Sequence, residues 1–120
     1  MKTKKNIIKV KTYDFAKAIV RICQYLQREK KEFVLSRQLL RSGPAPGAQV
    51  REAEQAESRK DFIHKMSIGL KEANETAYWL NLLKDTDYLS REQFAPLHKE
   101  CTEIICILVS IVKSSREKEE

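Results

Sequence analysis

Apolar residues recur along this chain at intervals of three and four, the repeat that lines up one face of a helix. The clearest run is Phe94, Leu97, Cys101, Ile104, Leu108 and Ile111. Ser90 stands just ahead of it with Gln93 three residues on, the pattern of a capping box. The stretch Ile104–Val112 is β-branched enough to suit a strand, but the sustained repeat from Phe94 and the cap ahead of it decide for a helix. Ile105, Ile107, Val109 and Val112 fall off the main stripe. A helix apolar almost all round is buried on more than one side. These four residues are therefore the candidate interface with another copy of the chain.

Three more segments precede this one. Phe15, Ile19, Ile22, Cys23 and Leu26 make one stripe on a helix from about Tyr13 to Glu29. A polar connection, Arg28 to Glu32, leads to a second segment that opens near Phe33 with Leu35, Leu39 and Leu40. Ser42-Gly43-Pro44-Ala45-Pro46-Gly47 interrupts it. Two prolines remove two backbone donors, so the helix stops or kinks there, giving one long broken element or two short helices. It resumes by Ala48 and runs to about Ala56. Ser58, with Asp61 three residues later, opens a third helix that reaches about Asp85 and spans roughly 40 Å. Its seam is Phe62, Met66, Gly69, Ala73, Ala77 and Leu80. Four amphipathic segments with short connections predict an all-α, antiparallel up-and-down four-helix bundle over residues 13–113, its second helix kinked or broken at the Gly/Pro cluster. Residues 1–12 read as a basic arm, in which Asn6-Ile7-Ile8-Lys9-Val10 forms a short turn or packs loosely on the bundle, and residues 114–120 read as a charged, fraying tail.

Charge changes this picture at one end only. Of a formal net charge of +6 over 120 residues, residues 1–31 carry ten Lys/Arg against two acids, and the rest of the chain is slightly acidic. A basic pole suits a polyanion, and it also keeps proteins soluble. The candidate nucleic-acid contacts are Lys2, Lys4, Lys5, Lys9 and Lys11 on the arm, with Lys17 and Arg21 behind them. Catalytic chemistry has little to build on. There are two histidines and three cysteines. Asp61-Phe62-Ile63-His64 has the acid-to-histidine spacing of a di-iron bundle once, while His98 has Ala95 three residues before it. Cys101 and Cys106 lie too far apart for a close zinc pair, so no metal or cofactor is expected. The Gly/Pro cluster lacks the ending of a phosphate loop. An odd cysteine count with no secretory signal predicts free thiols in a reducing cytoplasm, and the longest apolar run is too short for a membrane span.

On the third helix, Glu72, Glu75 and Tyr78 share a face by their three-residue spacing, next to Trp79. The two acids either pair with Arg41 or Arg51 of the second segment or form an exposed acidic face. Trp79 is read as core or interface.

Two stretches taken together carry a family resemblance. The first is Leu35-Ser36-Arg37-Gln38-Leu39-Leu40-Arg41-Ser42-Gly43 with Gly47-Ala48 and Arg51-Glu52-Ala53. The second is Asp61-Phe62-Ile63-His64-Lys65, then Leu70 to Thr76 and Tyr78-Trp79-Leu80. In that order they resemble the four-helix-bundle proteins encoded in intervening sequences of bacterial 23S ribosomal RNA genes. The resemblance implies a bacterial source, a ring-shaped homopentamer, and structural roles for Arg41, Gly43, Gly47, Glu72, Glu75, Tyr78 and Trp79. Related accessory proteins of diversity-generating retroelements are basic pentameric barrels that bind nucleic acid and a reverse transcriptase. Pro44 and Pro46 depart from the family pattern, which has Thr or Ser and an aliphatic residue there. The functional expectation is a non-catalytic oligomer that binds RNA or other nucleic acid; the alternative is a scaffold for a protein such as a polymerase or reverse transcriptase.

Overall fold

The computed structural model describes residues 3–119. Five α-helices follow in order: α1 (Lys4–Glu29), α2 (Val34–Ser42), α3 (Ala45–Ala53), α4 (Arg59–Asp85) and α5 (Arg91–Glu119). No strand occurs among the described residues. The α2–α3 pair forms one bent arm. Gly43 and Pro44 keep right-handed helical backbone angles through the bend. What the bend lacks is donors: neither Pro44 nor Pro46 has an N–H to return to the preceding turn. Short loops make the four arms antiparallel. The bent arm and α5 each pack on both α1 and α4, so the molecule is a four-helix bundle 49 × 23 × 22 Å.

The helix ends follow their local chemistry. Thr3 accepts from the Asn6 amide (3.3 Å) and opens α1. Ser58 accepts from the Asp61 amide (3.0 Å). Ser90 and Gln93 exchange reciprocal bonds of 2.9 and 3.1 Å, the capping box that their spacing predicts. The start of α2 is held differently. Lys31 takes a left-handed conformation (φ 53°) and turns the chain. This brings the Glu32 carboxylate inward, where it accepts from the amides of Val34, Leu35 and Ser36 at 3.1, 2.9 and 2.7 Å. A charged acceptor thus satisfies three amides that a helix start leaves open.

The core seams of α4 and α5 follow the sequence, with one exchange: Thr76, rather than Ala77, fills the buried position of α4. Thr76 Oγ1 lies 2.8 Å from the Glu72 carbonyl and 2.9 Å from Ser42 Oγ, so the hydroxyl stays satisfied inside the core. The expected basic arm is a correction. Residues 4–12 are the first turns of α1, because Ile8 (0% exposed) and Thr12 (2%) extend the Phe15–Ile19–Cys23–Leu26 stripe toward the N-terminus. Thr12 Oγ1 bonds back to the Ile8 carbonyl at 2.7 Å, which lets a polar residue sit in that stripe. The expected frayed tail is a second correction: α5 continues to Glu119, and Ser115 is buried.

Glycines set the approach of neighbouring helices. A Cβ at Gly43 would stand 2.6 and 2.9 Å from Ile19 Cγ2 and Cγ1 and 3.0 Å from the Leu39 carbonyl. At Gly69 the same atom would meet Gln49 Cβ at 3.5 Å and Pro46 at 3.7 Å, ordinary packing distances. Gly43→Ala is therefore expected to lower stability by about 1–3 kcal/mol through overpacking. Gly69→Ala is expected to raise it by about 0.5–1 kcal/mol through helix propensity. Urea denaturation of both variants checks the opposite signs. Ile8→Ala is expected to cost about 2–5 kcal/mol in the same assay; a loss below about 1 kcal/mol would return residues 4–12 to the status of an arm.

Candidate nucleic-acid interface

Because α1 begins at Lys4, its cations take helical positions rather than hanging from a flexible segment. Lys4 and Lys11 turn toward α5. Lys4 Nζ bonds Ser110 Oγ, and Lys11 Nζ bonds Glu103 and Glu100 at 2.6 and 3.3 Å. The Glu103 bond raises the Lys11 pKa, and Lys11 in turn holds Glu103 below the usual carboxylate value. Lys2 lies outside the described residues.

Lys5, Lys9, Lys17 and Arg21 fall into a different set. With Tyr13 they are spaced by four residues throughout, which is one of the ridges on a helix surface. From Lys5 to Arg21 this ridge climbs about 24 Å. Lys5 Nζ sits 4.6 Å from the Phe62 ring centroid, and Lys9 pairs with Glu54, just past the end of α3, at 3.0 Å. Lys17 pairs with Asp14 at 3.2 Å and lies 5.1 Å from the Tyr13 ring. Arg51 of α3 approaches the same ring at 5.4 Å. Tyr13 is 53% exposed, and its ring carries two cations from different helices. Arg21 is exposed and borders a shallow cleft with Val20 and Gln24. Charge alone picks out Lys17 and Arg21 but passes over Tyr13 and Arg51. The four-residue ladder reveals Tyr13 once the helix is known to start at Lys4. Arg51 comes from another arm and carries no local signal.

Arg41 takes the acidic pair of α4. Its guanidinium bonds Glu72 at 3.1 Å and also bonds Glu75. The Glu75 carboxylate accepts as well from Trp79 Nε1 (3.1 Å). These partners lower the Glu75 pKa, Trp79 contributing most, and Glu75 raises that of Arg41. Tyr78 is exposed and stands edge-on to Trp79, ring centroids 5.0 Å apart. The network fastens α2 to α4 just before the bend at Gly43. Gly47 follows one turn on, where a Cβ would lie 3.4 Å from Thr12.

The candidate self-association residues divide. Val109 is exposed, while Ile105 and Ile107 pack partly on the core. Val112 is a correction: it is 6% exposed and belongs to the core of its own chain. Flanked by α1 and α4, α5 buries on two sides within one bundle much of what the repeat alone assigns to a second copy.

Other chemistry is sparse. His64 is exposed, and His98 stacks on Phe94 at 4.9 Å. Among the described residues, no three His, Cys, Asp or Glu side chains form a metal-ligand group. No helix there is long and apolar enough to cross a membrane. All three cysteines are free thiols. Burial pushes Cys23 and Cys101 up to about 12, the nearby Glu32 charge adding to the effect at Cys23.

The arrangement can now be set beside known proteins. The model of the 23S rRNA-intervening sequence protein family matches residues 4–110. The chain belongs to this family. Its fold is similar to the crystal structure of a protein of unknown function from the S23 ribosomal protein family of Bacteroides thetaiotaomicron. The two share 53% sequence identity over 92% of this chain and 99% of the other, with a TM-score of 0.91. No curated protein matches the chain. The match begins at Lys4, so the family pattern includes the basic first turns of α1.

Thiol chemistry gives a direct check of this packing. Ellman's reagent at about pH 8, near the ordinary thiol pKa, is expected to titrate one thiol per folded chain, Cys106, and three after denaturation. Because the folded pKa values of Cys23 and Cys101 are raised, their contribution to stability is intact below the ordinary thiol range. It falls as pH climbs through that range toward 12. A melting temperature that holds steady from about pH 8 to about pH 11 would contradict the assigned burial.

Proposed function

We propose that this protein is a non-catalytic, self-associating bundle of the bacterial cytoplasm that binds RNA or other nucleic acid along the basic ridge of α1. The observation that carries the reading is Tyr13, half-exposed between Lys17 and Arg51 on a ridge that also holds Lys5, Lys9 and Arg21. Surfaces that bind single strands without sequence preference join cations, which meet phosphates, to aromatic faces, which stack bases. Lys9 and Lys17 already hold carboxylates, Glu54 and Asp14. These pairs are solvent-exposed and worth little, so a phosphate competes for the ammonium at small cost. Phosphate contacts carry no sequence information, so binding is largely sequence-independent.

Self-association would strengthen such binding. A ring of five copies would repeat the ridge five times and give modest sites collective strength. Half-exposed apolar side chains remain for such contacts: Phe33, Val34 and Leu40 on the α2 side, Tyr78 on α4 and Val109 on α5. The same residues favour a second reading, a scaffold that docks a protein such as a polymerase or reverse transcriptase. There nucleic acid would matter only through the partner.

Light scattering at micromolar concentration is expected to give a pentamer, and a monomer would remove both the ring and its repeated ridge. For RNA, filter binding of an unstructured oligonucleotide at several salt concentrations separates the two readings. Lys17→Ala/Arg51→Ala is expected to reduce the slope of log affinity against log salt by about 1.4, at roughly 0.7 per lost contact. Tyr13→Ala is expected to weaken binding by about 1–3 kcal/mol with the slope unchanged. Failure of the intact protein to bind at low salt would favour the scaffold.

A further inference from the structure

At one pole of the bundle, α1 and α4 begin while α3 and α5 end. Between them lies an open cleft of about 1040 Å³. Among the described residues its rim carries Lys4, Lys5, Lys9, Arg59 and Lys118 against one carboxylate, Glu54. Among those residues that is a surplus of four positive charges. Two helix N-termini and two C-termini meet here, so the helix dipoles oppose one another, and the positive field belongs to the side chains. The lining includes the Ser58 cap of α4 and the Phe62 ring, with Lys5 over its face at 4.6 Å.

We propose that this cleft binds a nucleoside phosphate, either the terminal nucleotide of an RNA strand seated on the α1 ridge or a free nucleotide. The inference rests on the RNA-binding reading and deepens it. Size excludes a bare phosphate as the fitting ligand, since the volume stands at the top of the roughly 300–1,000 Å³ range of small-molecule sites. The surplus of cations favours an anion over a neutral ligand. Phe62 supplies the stacking face: an arriving base takes the ring, and the displaced Lys5 ammonium meets the phosphate. Continuity supplies the route, because Lys5 and Lys9 belong both to the cleft and to the ridge. A strand tracking the ridge toward the start of α1 therefore ends among Arg59, Lys118 and Lys4.

The test uses the full chain and three probes: AMP, a short unstructured RNA with a 5′-phosphate, and the same RNA with a 5′-hydroxyl. Arg59→Ala/Lys118→Ala removes two exposed rim cations that lie outside the ridge. Arg28→Ala/Lys30→Ala does the same at the opposite pole. Arg59→Gln/Lys118→Gln repeats the first with the side-chain length closer to native, and circular dichroism confirms the fold of each. Fluorescence anisotropy is expected to show about a tenfold loss of affinity for the 5′-phosphorylated RNA in the rim variants. A smaller loss for the 5′-hydroxyl RNA is expected, and none in the opposite-pole variant. Calorimetric binding of AMP that the rim variants abolish would identify free nucleotide as a ligand too; a 5′-phosphate effect without AMP binding would confine the site to RNA ends. Equal affinity for the two RNAs together with no AMP binding would overturn the proposal, as would equal losses from both poles. If the intact protein binds neither RNA, the ridge reading fails and the AMP measurement alone decides the cleft: binding lost in the rim variants sustains it, and no binding overturns it.

Discussion

The contact between Gly43 and Ile19 sets the distance between α1 and the bent arm, and the other packing relations of the bundle are built around that distance. No side chain larger than hydrogen fits at position 43 without moving Ile19. The bend that follows lacks two amide donors, at Pro44 and Pro46, so the arm gains from fastening outside itself. Arg41 provides this by reaching Glu72 and Glu75 one residue before the buried Ser42, whose hydroxyl meets Thr76. Glu32 holds the other end of α2 with three amide bonds. Beyond the bend, Gly47 faces Thr12 and Gly69 faces Pro46, so α3 is also flanked closely on both sides. The two prolines are tolerated because the arm is wedged between α1 and α4 rather than held by its own ladder alone.

That close packing decides how the charge of the chain is displayed. With Ile8 and Thr12 buried against neighbouring arms, the lysines of the first turns cannot act as a loose polycation. Lys4 and Lys11 bond groups on α5, whereas Lys5, Lys9, Lys17 and Arg21 line one ridge. Arg51 joins them from α3, which packs against α1 with Gly47 facing Thr12. The display of charge on the surface thus follows from which residues of α1 are buried in the core.

Much of this architecture is legible in the amino-acid sequence. The repeats of Phe94–Ile111 and Met66–Ala73, the caps at Ser58 and Ser90 and the Gly/Pro break all hold, since each rests on local periodicity or local hydrogen bonding. The two ends of the bundle escape the pattern for one reason. Thr12 and Ser115 are buried polar residues, and a hydrophobicity pattern treats such positions as the end of a stripe. Thr76 hides the true seam of α4 in the same way. The sequence leaves Glu72 and Glu75 open between pairing with Arg41 or Arg51 and an exposed acidic face, because pairing across helices depends on register, which no single segment encodes. Tyr13 is the middle of a four-residue ladder, but only a helix starting at Lys4 makes it the middle. Val112 reads as outward-facing when an apolar helix is given one bundle face, whereas α5 is covered by both α1 and α4.

If α1 presents its four-residue ridge to RNA as proposed, the Tyr13 ring lies among the bases. Ultraviolet cross-linking of the RNA complex, followed by mass spectrometry of the adducts, tests it most directly. The account predicts nucleotide adducts on Tyr13. Adducts confined to Tyr78 and Trp79, on the flank where Arg41 joins α2 to α4, would contradict it.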